Sequence, residues 1–183
     1  MQKFSELPYR RPDMEAVKEA LKRCAEEMKA AGTYEEMRDL FLAQKEAEPE
    51  WQTMSTIAHI RNTVDTRDAF YEGEMKYFYE EQPQIQLLWQ SIERIILESP
   101  TRPEWEKEFG SFFIKNMEVN QKLADESIIP DLIEEGSLTQ QYSKISATAE
   151  TEFRGEACNF YGLLKHMQST DRAERREAMI AWG

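Results

Sequence analysis

Histidine and cysteine are scarce in this chain: its 183 residues hold two of each. His59 and His166 stand alone, with no second histidine one helical turn away and no His-Glu-x-x-His pair, and Cys24 and Cys158 lie far apart. A catalytic metal centre needs three or four such ligands converging on one point. We therefore expect no metal site and no cofactor to be built from this chain alone. Two cysteines form at most one disulfide and no secreted framework, so they read as reduced thiols, with the cytoplasm as the default compartment. No run of about 18 apolar residues occurs, and the stretch from Met1 to Pro8 has no apolar segment of signal-peptide length. Positive charge is short as well. Lys and Arg number 23 against 35 Asp and Glu, a net charge of −12, which works against phosphate backbones and anionic lipid surfaces. Nucleic acid and membranes are poor partners for such a chain.

Glycine and proline, seven each, are too few and too widely spaced for the frequent turns of an all-β fold. What remains is helical and bulky. Hydrophobic residues make up 40% of the chain and include nine Phe, seven Tyr, four Trp and nine Met. A chain of this length buries roughly 70% of its unfolded surface. The expected fold class is all-α, with long antiparallel helices and one short β-hairpin near 150–159. Residues 1–183 read as one helical portion of a larger protein, with a possible subdivision into a helical bundle over 1–125 and the start of a main body over 126–183.

Local signals predict the elements. Asp13 caps a first helix in which Val17, Leu21, Cys24 and Met28 share a face, with Gly32 as the stop. Thr33 and Glu36 form a Thr-x-x-Glu capping box for a second helix reaching Pro49. Trp51 to Val64 is rich in β-branched residues yet keeps helical spacing, so a helix is expected there too. Asp65 and Thr66 are placed to cap the next segment, which Pro83 kinks or divides. Pro103 opens a helix carrying Trp105, Phe109, Phe112, Phe113 and Met117. Ile128 to Glu135 reads as a short helix ending at Gly136, with Ser137 and Gln140 boxing the start of another. Thr151 to Cys158 alternates around Gly155, a hairpin pattern. Phe160 to Met167 and a segment capped by Asp171 complete the chain, and the apolar face still forming at Met179, Ile180 and Trp182 reads as a helix cut short.

Chemistry-bearing side chains are sparse. His59 is expected to be a core or surface histidine, and His166 to favour the dipole of a helix C-terminus. Cys24 and Cys158 read as small hydrophobes rather than nucleophiles. Glu74 falls on the same helical face as Phe70, Tyr77 and Phe78. A buried carboxylate needs a partner, and Arg61 or Arg67 is the expected one, in a structural ion pair. Glu80-Glu81 and Glu134-Glu135 are neighbours about 100° apart on a helix and read as solvated surface. No P-loop, Gly-rich dinucleotide loop or Gly-x-Ser-x-Gly elbow is present.

The run Ile60-Arg61-Asn62-Thr63-Val64-Asp65-Thr66-Arg67-Asp68-Ala69-Phe70-Tyr71-Glu72-Gly73-Glu74 resembles the corresponding part of the oligoendopeptidase F-type metallopeptidases, relatives of thimet oligopeptidase. Further stretches resemble that family in the same order. They are Lys3 to Asp13, Leu97 to Glu104 leading to Phe109-Gly110, Ile129-Pro130-Asp131-Leu132 with Glu152-Phe153-Arg154-Gly155-Glu156, and Ser169-Thr170-Asp171-Arg172. The resemblance implies an N-terminal helical part of a peptidase whose zinc lies far downstream, on a His-Glu-x-x-His helix and a later Glu, where it activates water against the scissile carbonyl. No position here matches those residues. No catalytic or metal residue is therefore carried over, and the substrate-contacting residues stay unassigned.

By that resemblance, the chain is expected to be a non-catalytic segment forming part of a cleft wall in an oligopeptide-cleaving zinc peptidase. Its partners would be the missing C-terminal catalytic portion and the oligopeptide substrate, and oligomerisation is compatible with this reading. The alternative is a free-standing helical protein-binding module without enzymatic activity. An exposed apolar surface is expected of both.

Overall fold

The structure, a computed structural model, describes residues 3–123 and 125–183. Met1 and Gln2, the start of the stretch read for an export signal, and Ala124, beside the expected 125/126 boundary, lie outside the described residues. The described residues form eight α-helices and one two-stranded sheet. No helix among them is long and apolar enough to cross a membrane. The chain divides into two compact units, Met1–Glu135 and Gly136–Gly183.

The first unit opens with an extended lead and a short 3-10 turn, Phe4–Glu6. Helix α1, Met14–Ala30, begins where Asp13 accepts a hydrogen bond from the Ala16 N–H at 3.0 Å, and it buries Leu21, Cys24 and Met28. It stops at Ala31 with extended backbone, so Gly32 lies just past the end without acting as a left-handed cap. The capping box forms as expected: Thr33 Oγ1 accepts from the Glu36 N–H and the Glu36 carboxylate accepts from the Thr33 N–H, each at 3.2 Å. Helix α2 then runs unbroken over Tyr34–Val64, and α3 over Ala69–Glu98. Helices α1, α2 and α3 pack pairwise, and their short connections make consecutive helices antiparallel.

Neither of the two internal prolines divides its helix. Pro49 and Pro83 both sit inside continuous helix, each removing one backbone N–H from the ladder. Packing on both sides outweighs that loss. Phe41 and Trp51 flank Pro49 and are buried, and Pro83 is itself buried between Phe78 and Ile85. At 30 residues, α3 is about 45 Å long. Its N-cap is Asp68, which accepts from the Phe70 and Tyr71 N–H groups at 2.9 and 3.4 Å, not Asp65 or Thr66. Asp65 instead closes α2, its N–H donating to the Arg61 carbonyl.

The single helix expected after Pro103 is two, α4 over Arg102–Phe109 and α5 over Ser111–Gln121. Gly110 separates them with φ +89, a conformation that side-chain-bearing residues avoid. The core gathers around Trp105, whose ring meets Tyr34 and Phe41 edge-on at 5.3 and 5.4 Å and stacks on Phe109 at 5.5 Å. Phe78, Ile92 and Ile96 extend it along α3.

Helix α6 spans Ile129–Thr148, passing through Gly136 and Ser137. The expected stop and capping box there are not used, because Ser137 already lies within helical backbone. In the second unit, β1 (Glu150–Phe153) and β2 (Glu156–Asn159) pair antiparallel, with Phe153 opposite Glu156. Arg154 and Gly155 form the two-residue turn with φ of 54° and 85°, the positive values that match a tight hairpin to strand twist. Helix α7 (Phe160–Met167) starts at Asn159, which accepts from the Gly162 N–H. Helix α8 (Arg172–Trp182) starts at Asp171 as expected. These elements enclose a small core of Phe153, Cys158, Leu163 and Ala178.

Candidate functional site

The densest polar constellation is built where the lead segment meets α3. Glu74 is only 1% exposed, and an ionised carboxylate survives there only if its oxygens are filled. The Tyr9 hydroxyl donates to Oε2, and the Arg11 guanidinium donates through Nε to both oxygens and through Nη2 to Oε1. Burial is the largest single influence on Glu74 and pushes its pKa up, yet the hydrogen bonds from Arg11 and Tyr9 together outweigh it and hold the carboxyl below the usual range. Burial and the bond to Glu74 push the Tyr9 phenol up. The buried ion pair expected of Glu74 is present, but its partner is neither Arg61 nor Arg67. Arg67 precedes the α3 N-cap and so does not share the helix face; it pairs with Asp65 at 3.6 Å. Arg61 donates to the Leu7 carbonyl at 2.6 Å and to the Tyr71 hydroxyl. Arg11 from within the lead and Arg61 from α2 thus help tie it down.

A cleft of about 420 Å³ lies beside this clamp, lined by Arg10, Asp13, Val17, Gln44, Glu48 and Trp51 among others. Its volume falls at the low end of small-molecule sites. The carboxylates on its rim are already engaged. Asp13 caps α1, Glu48 pairs with Lys45 at 2.9 Å and Glu50 with Arg10 at 3.1 Å. An apolar side chain fits this floor, and none of these three acids stands ready as a general base.

Two further carboxylates carry information that sequence spacing did not reveal. Glu81 is not solvated surface: its side chain is 16% exposed and lies 2.9 Å from the buried Lys18 ammonium, which Glu15 also pairs. Burial, the largest influence, pulls the Lys18 pKa down, but the bonds to Glu15 and Glu81 outweigh it and raise it. Glu93 goes the opposite way to Glu74. Burial lifts its pKa more than the Asn120 amide, at 3.2 Å, lowers it. The mid-face lysine on α1 was the available signal for the Glu81 pair, since a charge on an apolar helix face predicts a partner.

In the second unit, Glu174 gathers three groups. Ser169 Oγ donates to Oε2 at 2.5 Å, His166 Nδ1 lies 2.7 Å from Oε1, and Arg154 Nη1 stands 3.5 Å away. The bonds from Ser169 and His166 lower the Glu174 pKa. A serine, a histidine and a glutamate thus meet, but in the wrong connectivity for nucleophilic catalysis. The hydroxyl is bonded to the carboxylate, so the imidazole is not placed to take its proton. The cluster ties the end of α7 to the start of α8, in keeping with the helix-end position expected of His166.

His59 is exposed on α2, and Cys24 and Cys158 are buried free thiols. Burial pushes the Cys24 thiol up, away from nucleophilic character. Glu80 lies near Lys76, and Glu134 and Glu135 are exposed. The zinc that the family resemblance implies for a whole peptidase does not fit these residues: among the described residues no three His, Cys, Asp or Glu side chains come together to hold a metal ion.

The family described as peptidase M3 N-terminal domain matches residues 4–124. Among solved structures, a chain assigned as oligoendopeptidase F superposes with a TM-score of 0.91 at 31% identity, over 99% of this chain and 32% of its own. A PZ peptidase A solved with an inhibitor gives 0.90 at 31%, over 98% and 32%. An oligoendopeptidase F from Bacillus anthracis gives 0.90 at 31%, over 100% and 34%. The chain thus spans about a third of the length of the solved structures it matches. No curated protein matches it.

Proposed function

Because the chain belongs to the family of peptidase M3 N-terminal domains, we propose that it is the N-terminal, non-catalytic helical segment of an oligopeptide-cleaving zinc metalloendopeptidase and forms part of the wall of its substrate cleft. One observation carries this reading. Nearly the whole chain, 99% of it, superposes on only 32% of a chain assigned as oligoendopeptidase F. The fold suits a wall. Helices α2 and α3 are long, an aromatic core backs them, and the Glu74 clamp fixes the lead against them, which gives the stiffness that substrate positioning needs. The metal and the reacting groups belong to the C-terminal catalytic portion, the partner in this reading, and the substrate is an oligopeptide. Two buried, unpaired thiols fit a reducing compartment, and we place the protein in the cytoplasm.

The experiment is direct. Incubated with zinc and a quenched oligopeptide, the chain alone is expected to give no cleavage above buffer. Cleavage by the chain alone that a chelator abolishes overturns the non-catalytic assignment.

A further inference from the structure

None of the residues of α6 is buried. Helices in proteins draw most of their stability from packing an apolar face, and this 20-residue helix packs only a half-buried stripe, Ile129, Leu132, Ile133 and Gly136. Its composition is also unlike solvated surface. From Gly136 to Thr148 the one charged side chain is Lys144, in a chain in which 32% of residues are charged. Leu138, Tyr142 and Ile145 recur at helical spacing on one face and are 55%, 73% and 68% exposed. Loss of charge together with an aromatic and aliphatic stripe is the composition of the buried centre of an interface.

We propose that the Leu138, Tyr142 and Ile145 face of α6 is the docking surface for the C-terminal catalytic portion of an M3 peptidase. This rests on the function proposed above. The occupant follows from length: the solved oligoendopeptidase F chain is about three times as long as the segment matching this chain. The same 183-residue arrangement there belongs to a body with ample further polypeptide to cover such a face. A peptide substrate would ask for backbone donors and acceptors from its site, and a solvent-exposed helix has nearly all of these groups engaged in its own ladder. The stripe offers side-chain packing, which a folded partner surface supplies.

The probe is the C-terminal two thirds of the Bacillus anthracis oligoendopeptidase F, produced as a separate polypeptide and titrated with the chain. Wild type is expected to bind it, with the amides of α6 gaining protection from hydrogen exchange. The double variant Leu138→Lys, Ile145→Lys is expected to bind at least about tenfold more weakly. Its circular dichroism should be unchanged, since both side chains are mostly exposed. Equal binding by wild type and variant overturns the assignment of α6 and leaves the peptidase reading standing. Failure of wild type to bind at all overturns that reading and this inference with it. Protection of α6 by a short oligopeptide alone, or by self-association without the probe, reassigns the face to substrate or to a second copy and overturns the proposal.

Discussion

The two units of the chain hold themselves together by different means. Met1–Glu135 surrounds Trp105 with Tyr34, Phe41 and Phe109 and adds buried side chains from α1, α2, α3 and α5. Gly136–Gly183 buries four core residues and leaves Tyr142, Tyr161, Met179 and Ile180 in solvent. Hydrophobic stabilisation scales with apolar area removed from water, so the first unit carries the larger share from its own core. The second relies on local devices: a two-residue turn, helix caps, and a carboxylate shared by a serine, a histidine and an arginine. A small unit with few buried contacts opens at lower free energy than a large one. The difference marks the first unit as scaffold and the second as the part with more exposed apolar side chains for its length.

Truncating each core tests this contrast with the largest expected effects. Trp105→Ala is expected to cost about 3–5 kcal/mol, and Leu163→Ala about 2–5 kcal/mol, measured by urea unfolding with residue-resolved hydrogen exchange. The first should strip protection from α1 to α5, and the second from β1, β2, α7 and α8 alone. One transition in which either variant removes both sets of amides together would erase the distinction. Trp105→Phe should cost much less than Trp105→Ala, because Phe keeps most of the buried ring and the indole N–H it removes finds no acceptor among the described residues.

Acid offers a smaller and more local test. Glu74 has a folded pKa below its ordinary value, so its contribution is complete above about pH 4.3, the value of an unperturbed Glu, and is lost as pH falls from there through the depressed folded value. Glu74→Ala is expected to cost about 1–3 kcal/mol at neutral pH. The figure sits below that of a fully buried pair because the Arg11 side chain is 54% exposed and water takes over its charge. Glu74→Gln should flatten the acid limb of the stability profile. Glu93→Gln should act in the opposite direction and raise stability at neutral pH, since burial disfavours the Glu93 carboxylate. An acid limb identical in wild type and Glu74→Gln would remove the clamp from the account.

Much of the fold was legible because its signals are local. Asp13, the Thr33 and Glu36 box, Asp171 and the Gly155 hairpin each act within four residues, and each forms as read. The misread positions are those where distant packing overrides a local breaker. Pro49, Gly136 and Ser137 all sit inside helix, and Pro83, read as a kink or a division, does not divide α3; at the two prolines buried side chains hold the helix across the gap. Glu74 shows the same limit at the site. Its burial followed from helical period, but its partners lie 63 and 65 residues away in the lead, and proximity in sequence favoured the wrong arginines. Helical period reports which face a residue occupies, not which other segment covers that face.

The hairpin turn gives the finest comparison, because at Gly155 the second unit depends on backbone alone. Gly155 has φ +85, and a Cβ added to it would meet nothing within 4 Å. Gly155→Ala therefore introduces no clash, and its whole cost is the left-handed conformation, about 1–2 kcal/mol. Gly110, with φ +89, ψ +159 and equally open space, sits between α4 and α5 in the first unit, in a backbone region essentially reserved for glycine, so Gly110→Ala carries a backbone cost at least as large, about 1–3 kcal/mol. Both penalties are intrinsic to the backbone, and the surroundings differ. At Gly110 the flanking Trp105, Phe109 and Phe113 stack on one another, so the strain should appear as a small shift in global unfolding. At Gly155 it should appear as faster exchange of the paired amides from Glu150 to Asn159, with global unfolding of the first unit unchanged. Equal responses at the two glycines would mean that the smaller unit is as firmly held as the larger, against everything its four-residue core implies.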